Sequence, residues 1–392
     1  MLSNRQLFLQ HLAQTTNFPL QLEIEKAEGI YMYGPEGKEY IDLISGIGVS
    51  NVGHRHPKVV EAVKQQVDQY MHLMVYGEFV QSPQVQLAKA ITDTLPSTLD
   101  QVYLVNSGSE AIEGALKLAK RYTGRAEIIS CHNAYHGSTA GSLSAGGNEI
   151  FKQNYRPLIP GHRHIEFNNT DELKSITDQT AAFLIETIQG EAGIRIPDLS
   201  YLKAVRRRCD ETGTLLILDE IQSGFGRTGK FWAFEHYGIV PDILTSAKGM
   251  GGGMPIGCFI SSKEIMSVFT ENPILGHITT FGGHPVSAAA SLATLQVIQE
   301  ENLMQGIPEK EKLFHDLLKH PKIKSVRSKG LMMAAEFDSF DTLKTVIDQA
   351  IENGVVTDWF LFCDNSMRIA PPLTITKDEI KKACKLILEA IG

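Results

Sequence analysis

The chain has 392 residues, 43% of them hydrophobic and 21% charged, with a formal net charge of −8. This size and composition predict a globular protein with one large and one smaller domain. The acidic balance and the lack of a long basic run argue against nucleic acid as a partner, and no apolar run is long enough to span a membrane. The five cysteines are widely spaced without a CxxC motif, which predicts reduced thiols in the cytoplasm.

The N-terminal residues predict a helix followed by a β-hairpin. MLSNRQLFLQHLAQ has polar residues throughout and no small-residue cleavage site, so we expect an amphipathic helix rather than a signal peptide. In GIYMYGPEGKEYIDL, residues 34–37 form a turn signal between two strand-like runs. We expect this first segment, residues 1–45, to pack with the C-terminal domain.

From about residue 100, short apolar runs alternate with helical patterns. The strand-like runs are QVYLV, EIISC, AFLIETI, LLILD, DILTS and GCFIS. Several lack polar alternation, as expected of strands that helices cover on both faces. Helical segments between them stop at Gly124 and Gly213. The pattern predicts an α/β fold with a mainly parallel sheet in a large domain, residues 46–285.

The pattern changes after Pro285. VSAAASLATLQVIQEENL predicts a long helix that leads away from the core, and two segments after it, SVRSKGLMMAAEF and VVTDWFLF, are predicted strands. Thr376 and Glu379 form a capping box at the start of the last helix. We predict a second, smaller domain over residues 286–392.

The stretch LLILDEIQSGFGRTGK, residues 215–230, is compatible with two kinds of ligand site. Its G-x-x-x-x-G-K pattern approaches the phosphate loop of a nucleotide triphosphatase, but Phe231 stands where a magnesium-binding hydroxyl is required. Asp219 instead lies at the carboxyl end of a predicted parallel strand, where open α/β sheets bind ligands. We interpret Asp219 as the functional residue, and a nucleotide-binding protein stays as the rival hypothesis.

Three further motifs lie at predicted strand ends. NSGS, residues 106–109, precedes a helix, and free N–H groups at such a helix start form an anion site. Lys248 lies among apolar and glycine residues, which predicts a desolvated, nucleophilic amine. Tyr135, next to His136, can stack on a flat ligand. Each feature alone also has a structural explanation, as a helix cap, a surface lysine or a core aromatic.

Together these groups match pyridoxal phosphate. The helix start would bind the phosphate, Lys248 would form the Schiff base, and Asp219 would pair with the pyridinium nitrogen. We predict no metal site, because the histidine pairs in GHRHP and CHNAYH lack acidic or thiol residues near them in sequence.

At this point the chain closely resembles the class III (subgroup II) aminotransferases of fold type I, with acetylornithine and ornithine aminotransferases nearest. The motifs that carry the resemblance occur in the family's order: GVSNVGHRHPKV, NSGSEA, YHGST, IETIQGEAGIRIPD, LDEIQSGFGRTGKFWAFEHYGIVPDI, AKGMGGGMPIG, TTFGGHP and MRIAPPL. The resemblance implies a large domain with a mainly parallel seven-stranded sheet between helices, a smaller α+β domain, and a homodimer.

The resemblance also implies roles for individual residues. Lys248 and Asp219 would be catalytic, Gln222 would bind the phenolic oxygen of the cofactor, and Thr280 would reach the cofactor phosphate of the neighbouring subunit. The cofactor-binding set is Ser107, Gly108, Ser109, Tyr135, His136, Glu186, Asp219, Gln222, Lys248 and Thr280.

Substrate recognition follows from the same resemblance. Arg368 would clamp a substrate carboxylate, and Glu191 would pair with Arg368 and release it when a dicarboxylate arrives. Further substrate positions are Ile47, Ser138 and Phe18. Ser138 stands where ornithine-type members carry an arginine for a second carboxylate, a loss of about a hundredfold in affinity.

Other basic residues are candidates to replace that arginine. We name Arg163 and Arg195, although their positions do not follow from the sequence. Thr187 replaces the usual proline of the motif around Glu186, and the sequence assigns this change no consequence.

These inferences predict a transaminase that moves an amino group from an acetylornithine- or ornithine-like ω-amino donor to a 2-oxo acid such as 2-oxoglutarate by a ping-pong mechanism. The alternatives are 4-aminobutyrate, lysine or a diamine as donor with a different acceptor. An aminomutase of the same fold is a further alternative, against which Glu191 and Arg368 argue.

Overall fold

The structure is a computed structural model that describes residues 2–75 and 77–392. Its first helix, α1 (Asn4–His11), begins at a capping box between Ser3 and Gln6. None of its side chains is buried, so the predicted helix is present but its apolar side chains face no core within this chain. Among the described residues, none of the helices combines the length and apolar character needed to cross a bilayer.

The predicted hairpin belongs to a small N-terminal sheet. Its strands are β1 (Lys26–Glu28), β2 (Tyr31–Tyr33) and β3 (Glu39–Asp42), all antiparallel. A short 3-10 turn, Pro35–Gly37, joins β2 to β3, which confirms the hairpin. Helices α2 (Ser45–Gly48), α3 (Pro57–Gln69) and α4 (Ser82–Thr92) follow.

The central sheet has seven strands in the order β4-β10-β9-β8-β7-β5-β6. The strands are β4 (Gln101–Val105), β5 (Glu127–Cys131), β6 (His162–Ile165), β7 (Thr180–Glu186), β8 (Leu215–Asp219), β9 (Ile243–Ser246) and β10 (Gly257–Ser261). All neighbours are parallel except that β10 runs antiparallel to β4 and β9. The six apolar runs are confirmed as strands, and the predicted mainly parallel sheet is correct.

Helices cover both faces of this sheet. They are α5 (Gly108–Thr123), α6 (Ala140–Ala145), α7 (Leu199–Thr212), α8 (Lys263–Met266) and α9 (Pro285–Glu300). Alternate residues of β7 point to two separate apolar clusters: Phe183 lies with α7 and α9, and Leu184 lies with α5. Burial on both faces explains why the central strands are apolar throughout.

Helix α9 corrects one expectation. It does not lead away from the core; it packs against α3 and α4, and Leu295 and Ile298 belong to the main core cluster. Eleven of its sixteen residues are buried, as expected of a helix that is apolar over most of its circumference.

The C-terminal part has its own core. Its elements are α10 (Ile307–Leu317), β11 (Ser325–Lys329), β12 (Met332–Glu336), α11 (Phe340–Glu352), β13 (Val355–Val356), β14 (Trp359–Phe360), β15 (Cys363–Ile369) and α12 (Lys377–Ile391). Strands β11, β12, β15 and β14 form an antiparallel sheet. Strand β13 instead pairs with β3, and Ile30, Ile41 and Leu43 join this core, so the N-terminal sheet and the C-terminal part share one apolar interior.

The loop that approaches a nucleotide motif serves another purpose. Arg227 is buried, and its guanidinium donates hydrogen bonds to the carbonyl oxygens of Leu331 (3.1 Å) and Pro371 and to Asn51 Oδ1 (2.5 Å). Its backbone carbonyl accepts from the N–H of Leu331 at 3.0 Å. Burial lowers the pKa of Arg227 to about 9. The loop thus connects three distant segments of the chain, in agreement with the interpretation that its glycines do not bind phosphate.

Candidate active site

A cavity of about 380 Å³ opens at the carboxyl ends of the parallel strands. Glu186 ends β7 and Asp219 ends β8, and the two residues are direct neighbours in the strand register. Lys248 follows β9, and Tyr135 follows β5. The topology therefore brings side chains that are up to 113 positions apart in sequence to the edge of one sheet, where ligands bind in open α/β folds.

Asp219 is held by two hydrogen bonds. His136 Nδ1 lies 2.8 Å from Asp219 Oδ2, and the N–H of Ile221 donates to Oδ1 at 3.0 Å. Both side chains of the Asp219–His136 pair are almost fully buried. His136 Nε2 is buried without a hydrogen-bond partner among the described residues. The pair fixes the direction of a carboxylate that lines the cavity.

Glu186 is a second buried carboxyl beside Asp219. Burial raises its pKa well above the ordinary value, and the charge of Asp219 raises it further. The N–H groups of Gly190 (3.1 Å) and Tyr135 (3.2 Å) donate to its two oxygens and oppose that shift. Burial and the neighbouring Asp219 thus both favour the protonated form of Glu186.

Lys248 supplies the amine of the cavity. It has a positive φ of 46° and begins a 3-10 turn, Lys248–Gly251. Burial lowers its pKa, although the negative charge of Glu191 acts in the opposite direction. Within the described chain, no residue hydrogen-bonds its side-chain nitrogen. A desolvated amine without a partner is suited to act as a nucleophile or a base.

The start of α5 forms the opposite wall. Ser107 caps the helix by accepting from the N–H of Glu110 at 3.2 Å, and Ser107, Gly108 and Ser109 all line the cavity. A Cβ at Gly108 would lie 2.9 Å from Ile221 Cδ1, so a larger residue would push into the neighbouring loop. The free N–H groups and the helix dipole favour an anion here.

A buried ion pair lies beside the cavity. Arg368 Nη1 donates to Glu191 Oε1 at 3.0 Å, and Nη2 donates to Oε2 at 2.9 Å. Arg368 Nε also donates to Asp358 at 2.8 Å. Burial alone would raise the pKa of Glu191, but the charge and hydrogen bonds of Arg368 outweigh burial and lower it to about 2. The bidentate geometry is that of a strong charged pair.

Gln222 joins this pair to the cavity. Its Nε2 donates to Glu191 Oε1 at 3.0 Å, and its side chain lines the cavity. The sequence did not point to Asp358, because it is ten residues from Arg368 in the chain and reaches it only through the pairing of β14 with β15. Other cavity residues that the sequence analysis did not assign to the site include Val49, Ile188, Ser223 and Met254.

Some predicted residues lie outside the main cavity. Thr280 and Phe18 are exposed, Phe18 by 83%, and neither lines the cavity. Ile47 lies with Arg368 in a small adjoining crevice, and Ser138 lines a separate side cavity. The roles assigned to these four residues stay predictions.

The two candidate replacements for the missing arginine do not reach the site. Arg163 pairs with Glu127 at 2.9 Å on the edge strand β6, and Arg195 lies over the ring of Phe167. Neither arginine lines the cavity or its side cavity. Ornithine-type members carry an arginine at the position of Ser138. The hypothesis that Arg163 or Arg195 takes the place of that arginine is therefore wrong for the arrangement within this chain.

The residues present fit pyridoxal phosphate. The cavity joins an anion-binding helix start, an oriented carboxylate and an amine with a lowered pKa, and the amine has no partner among the described side chains. Gly108 lines the cavity, and its missing side chain lets Ile221 pack against the helix start. These are the groups that the phosphate, the ring nitrogen and the aldehyde of this cofactor require.

Comparisons with known proteins agree with this geometry. The family model of class-III aminotransferases matches residues 12–391. The acetylornithine aminotransferase of Methanopyrus kandleri is 39% identical over 97% of this chain and 96% of its own length. That of Methanocaldococcus jannaschii is 41% identical over 92% of this chain and 91% of its own length.

Solved structures show the same fold. The ornithine aminotransferase of Toxoplasma gondii ME49 is 29% identical, covers 100% of this chain and 95% of its own, and superposes with a TM-score of 0.92. A PLP-bound amine transaminase from an uncultivated Pseudomonas species is 26% identical, with 97% of each chain covered and a TM-score of 0.89. The predicted fold, cofactor and enzyme class are confirmed: the chain belongs to the class III aminotransferases and is a transaminase that uses pyridoxal phosphate.

Proposed function

We propose that the enzyme transfers the amino group of an acetylornithine- or ornithine-like ω-amino donor to a 2-oxo acid such as 2-oxoglutarate in a ping-pong reaction. The observation that carries this proposal is the closed Glu191–Arg368 pair beside the cavity. While Arg368 is paired with Glu191 it is not available to bind a substrate carboxylate. This state therefore suits a donor that has no carboxylate next to its reacting amine. The printed names of the relatives, acetylornithine and ornithine aminotransferases, support the same donor class.

Each part of the cavity has a role in holding the cofactor. Ser107, Gly108 and Ser109 would bind the phosphate, and Asp219, oriented by His136, would hold the ring nitrogen. Gln222 would bind the phenolic oxygen, Tyr135 would stack on the ring, and Glu186 would position the Tyr135 backbone. When bound, pyridoxal phosphate supplies an aldehyde that accepts amino groups and a ring that withdraws electrons from the reacting carbon.

Lys248 would hold the cofactor aldehyde and move the proton. Burial lowers its pKa below that of an ordinary lysine, which favours the neutral amine. The nitrogen would take the proton from the donor carbon that carries the amino group and, as an ammonium ion, give it back later in the cycle.

Arg368 would recognise the acceptor. A 2-oxo dicarboxylate brings a carboxylate that can replace Glu191 as the bidentate partner of Arg368. Glu191 would then remain hydrogen-bonded to Gln222 and to the N–H of Leu361, which donates to Oε2 at 3.2 Å. One site would thus accept both a donor without a carboxylate at this end and an acceptor with one.

The assembly and the cellular location are part of the same proposal. We propose a cytoplasmic homodimer in which Thr280, exposed and outside its own cavity, reaches the cofactor phosphate of the other subunit. The exposed apolar side chains of Ile278 and Phe281 beside it support a covered surface here. We also keep the division into residues 1–45, 46–285 and 286–392 as a proposal.

A donor panel tests the proposed reaction. The cofactor-loaded enzyme is incubated with 2-oxoglutarate or pyruvate and with acetylornithine, ornithine, 4-aminobutyrate, lysine or putrescine, and the amino acid product is quantified. We expect glutamate to form from ω-amino donors and Lys248→Ala to abolish its formation. Activity with α-amino acids alone would contradict the proposal, and amino-group migration within one substrate without an acceptor would favour an aminomutase.

A further inference from the structure

The backbone at Lys248 adopts a conformation that lysine rarely takes. Its φ of 46° lies in the left-handed region, and the residue opens the 3-10 turn Lys248–Gly251 shortly after β9. For a residue with a Cβ this conformation is strained, and it persists only where the surrounding structure holds it. The position of the cavity amine therefore depends on the side chains that pack against this turn.

The amide of Asn51 packs directly against the turn. A Cβ built on Gly249, which follows Lys248, would lie 2.4 Å from Asn51 Nδ2 and 2.8 Å from Asn51 Cγ. Both Gly249 and Asn51 are buried, Asn51 with 1% exposed. The amide thus occupies the space that a side chain at position 249 would need, and it limits the movement of the backbone beside Lys248.

Helix α9 contacts the residue that ends the same turn. A Cβ at Gly252 would lie 2.1 Å from Thr294 Oγ1, and this hydroxyl donates to the carbonyl oxygen of Ala290 at 2.8 Å. A helix that is packed into the main core has little freedom to shift, so it anchors the end of the turn. Asn51 provides the corresponding contact beside Lys248.

Three hydrogen bonds fix Asn51 itself. Its Nδ2 donates to the carbonyl oxygen of Phe225 at 2.9 Å, and its Oδ1 accepts from Arg227 Nη2 at 2.5 Å. Its backbone carbonyl accepts from the N–H of Leu373 at 2.8 Å. The guanidinium of Arg227 is a charged donor, which makes its bond stronger than one between neutral groups. Because both polar atoms of the amide have partners, the amide cannot rotate without losing a hydrogen bond.

Neither Asn51 nor Arg227 lines the cofactor cavity. An effect of either residue on a bound ligand must therefore pass through a residue that does line it. Lys248 is such a residue, and it is bonded to the glycine that Asn51 contacts.

We propose that Asn51, fixed by Arg227, is a positioning residue for Lys248. Its amide holds the turn in the strained conformation that keeps the amine in the cavity. This inference rests on the proposed role of Lys248, which holds the cofactor aldehyde and moves the proton, and it extends that role to the segment that keeps the amine in place. Because a misplacement of about 1 Å can cost about a hundredfold in rate, a buried amide outside the cavity can control the reaction.

The first test measures the covalent attachment of pyridoxal phosphate to the apoenzyme by stopped-flow absorbance. Asn51→Ala should slow attachment by about tenfold or more, because the amine is no longer held in position to attack. In a Lys248→Ala background, the same substitution should leave the Kd for pyridoxal phosphate within about twofold in equilibrium dialysis. A Kd that rises further there would mean that Asn51 supports the cavity wall rather than Lys248, and it would overturn the inference.

A second variant changes the same contact from the other side. The φ of Gly249 is not positive, so its backbone accepts alanine, but the added Cβ would meet the Asn51 amide. Gly249→Ala should therefore slow attachment by about tenfold, and the double variant with Asn51→Ala should attach faster than Gly249→Ala alone, because the space is then free. Rates that fall independently, with no gain in the double variant, would contradict the assigned contact.

Gln66→Ala is the matched control for a loss of stability alone. Gln66 is a buried amide, 5% exposed, whose Nε2 donates to the carbonyl oxygen of Tyr70 at 3.0 Å. Its removal should lower the Tm and leave the rate of attachment within about twofold. If Asn51→Ala likewise lowers the Tm without slowing attachment, Asn51 is only structural and the inference fails.

Turnover separates this inference from the proposed function. In single turnovers of the cofactor-loaded enzyme with an ω-amine donor, Asn51→Ala should lower the limiting rate constant by about ten- to a hundredfold with little change in donor affinity. The isotope effect of deuterium on the reacting carbon should rise, because proton transfer becomes slower. If Lys248→Ala retains turnover, the proposed function and this inference both fail. If the panel yields no turnover, the proposed function fails, and the rate of attachment still decides the role of Asn51.

Discussion

Replacing Glu191 with glutamine should open Arg368 to carboxylates. The fall of the Glu191 pKa from 4.5 to about 2 corresponds to about 3 kcal/mol of interaction between the carboxylate and its surroundings, mainly Arg368. Both side chains are almost fully buried, 3% and 4% exposed, so solvent screens this interaction little. In the wild type, an incoming carboxylate competes with that interaction. Glutamine keeps the shape and removes the charge.

We therefore expect Glu191→Gln to lower the KM for 2-oxoglutarate by about ten- to a hundredfold, since about 1.4 kcal/mol corresponds to a factor of ten. Glutamate should also become a better donor relative to ω-amines. The assay is steady-state kinetics at a saturating concentration of the amine, with each acceptor concentration varied in turn.

Asp358→Asn is the matched control. It removes an equal charge from the same guanidinium, but it leaves both Glu191 hydrogen bonds in place, so the KM for 2-oxoglutarate should change far less. An unchanged KM in Glu191→Gln, or the same change in both variants, would refute the competition between Glu191 and the acceptor.

Three other predictions concern the cofactor site and its support. The rate of covalent cofactor attachment to the apoenzyme should rise with pH and level off below about 10.4, the ordinary lysine pKa, because burial lowers the pKa of Lys248; stopped-flow absorbance that levels off only above that pH would contradict this. His136→Phe removes the 2.8 Å contact to Asp219 and should raise the Kd for pyridoxal phosphate about tenfold, whereas an unchanged Kd in equilibrium dialysis would show that this contact does not orient the carboxylate. Thr187→Val removes the 2.9 Å hydrogen bond to buried Glu220 and should lower the free energy of unfolding in urea by about 1–3 kcal/mol, while Thr187→Ser should retain most of it.

The central strands were predictable from the sequence because burial on both faces leaves a continuous apolar run. The edge strand β6 was not, since its sequence, HRHI, has polar side chains at three of four positions and covers only the margin of the sheet. Helix α9 was identified as a helix, but the expectation that it leads away from the core was wrong, because a helix that is apolar over most of its circumference has no single face that indicates its packing partner.

The residues of the site also divide into those that could be predicted from the sequence and those that could not. Asp219 and Lys248 were predictable because each follows an apolar strand, and parallel strands deliver their carboxyl ends to one edge. Asp358 was not, because it reaches Arg368 through the antiparallel pairing of the C-terminal sheet, which no local motif encodes. Thr187 gained a role only when the fold placed its hydroxyl beside Glu220.

The buried guanidinium of Arg227 has a consequence for how the molecule comes apart. It donates hydrogen bonds to the carbonyl oxygens of Leu331 and Pro371 and to the side chain of Asn51, so separating the C-terminal part from the parallel sheet would break these bonds together. Melting of either part therefore removes the support of the other. Calorimetry should record a single cooperative endotherm for the whole chain rather than two.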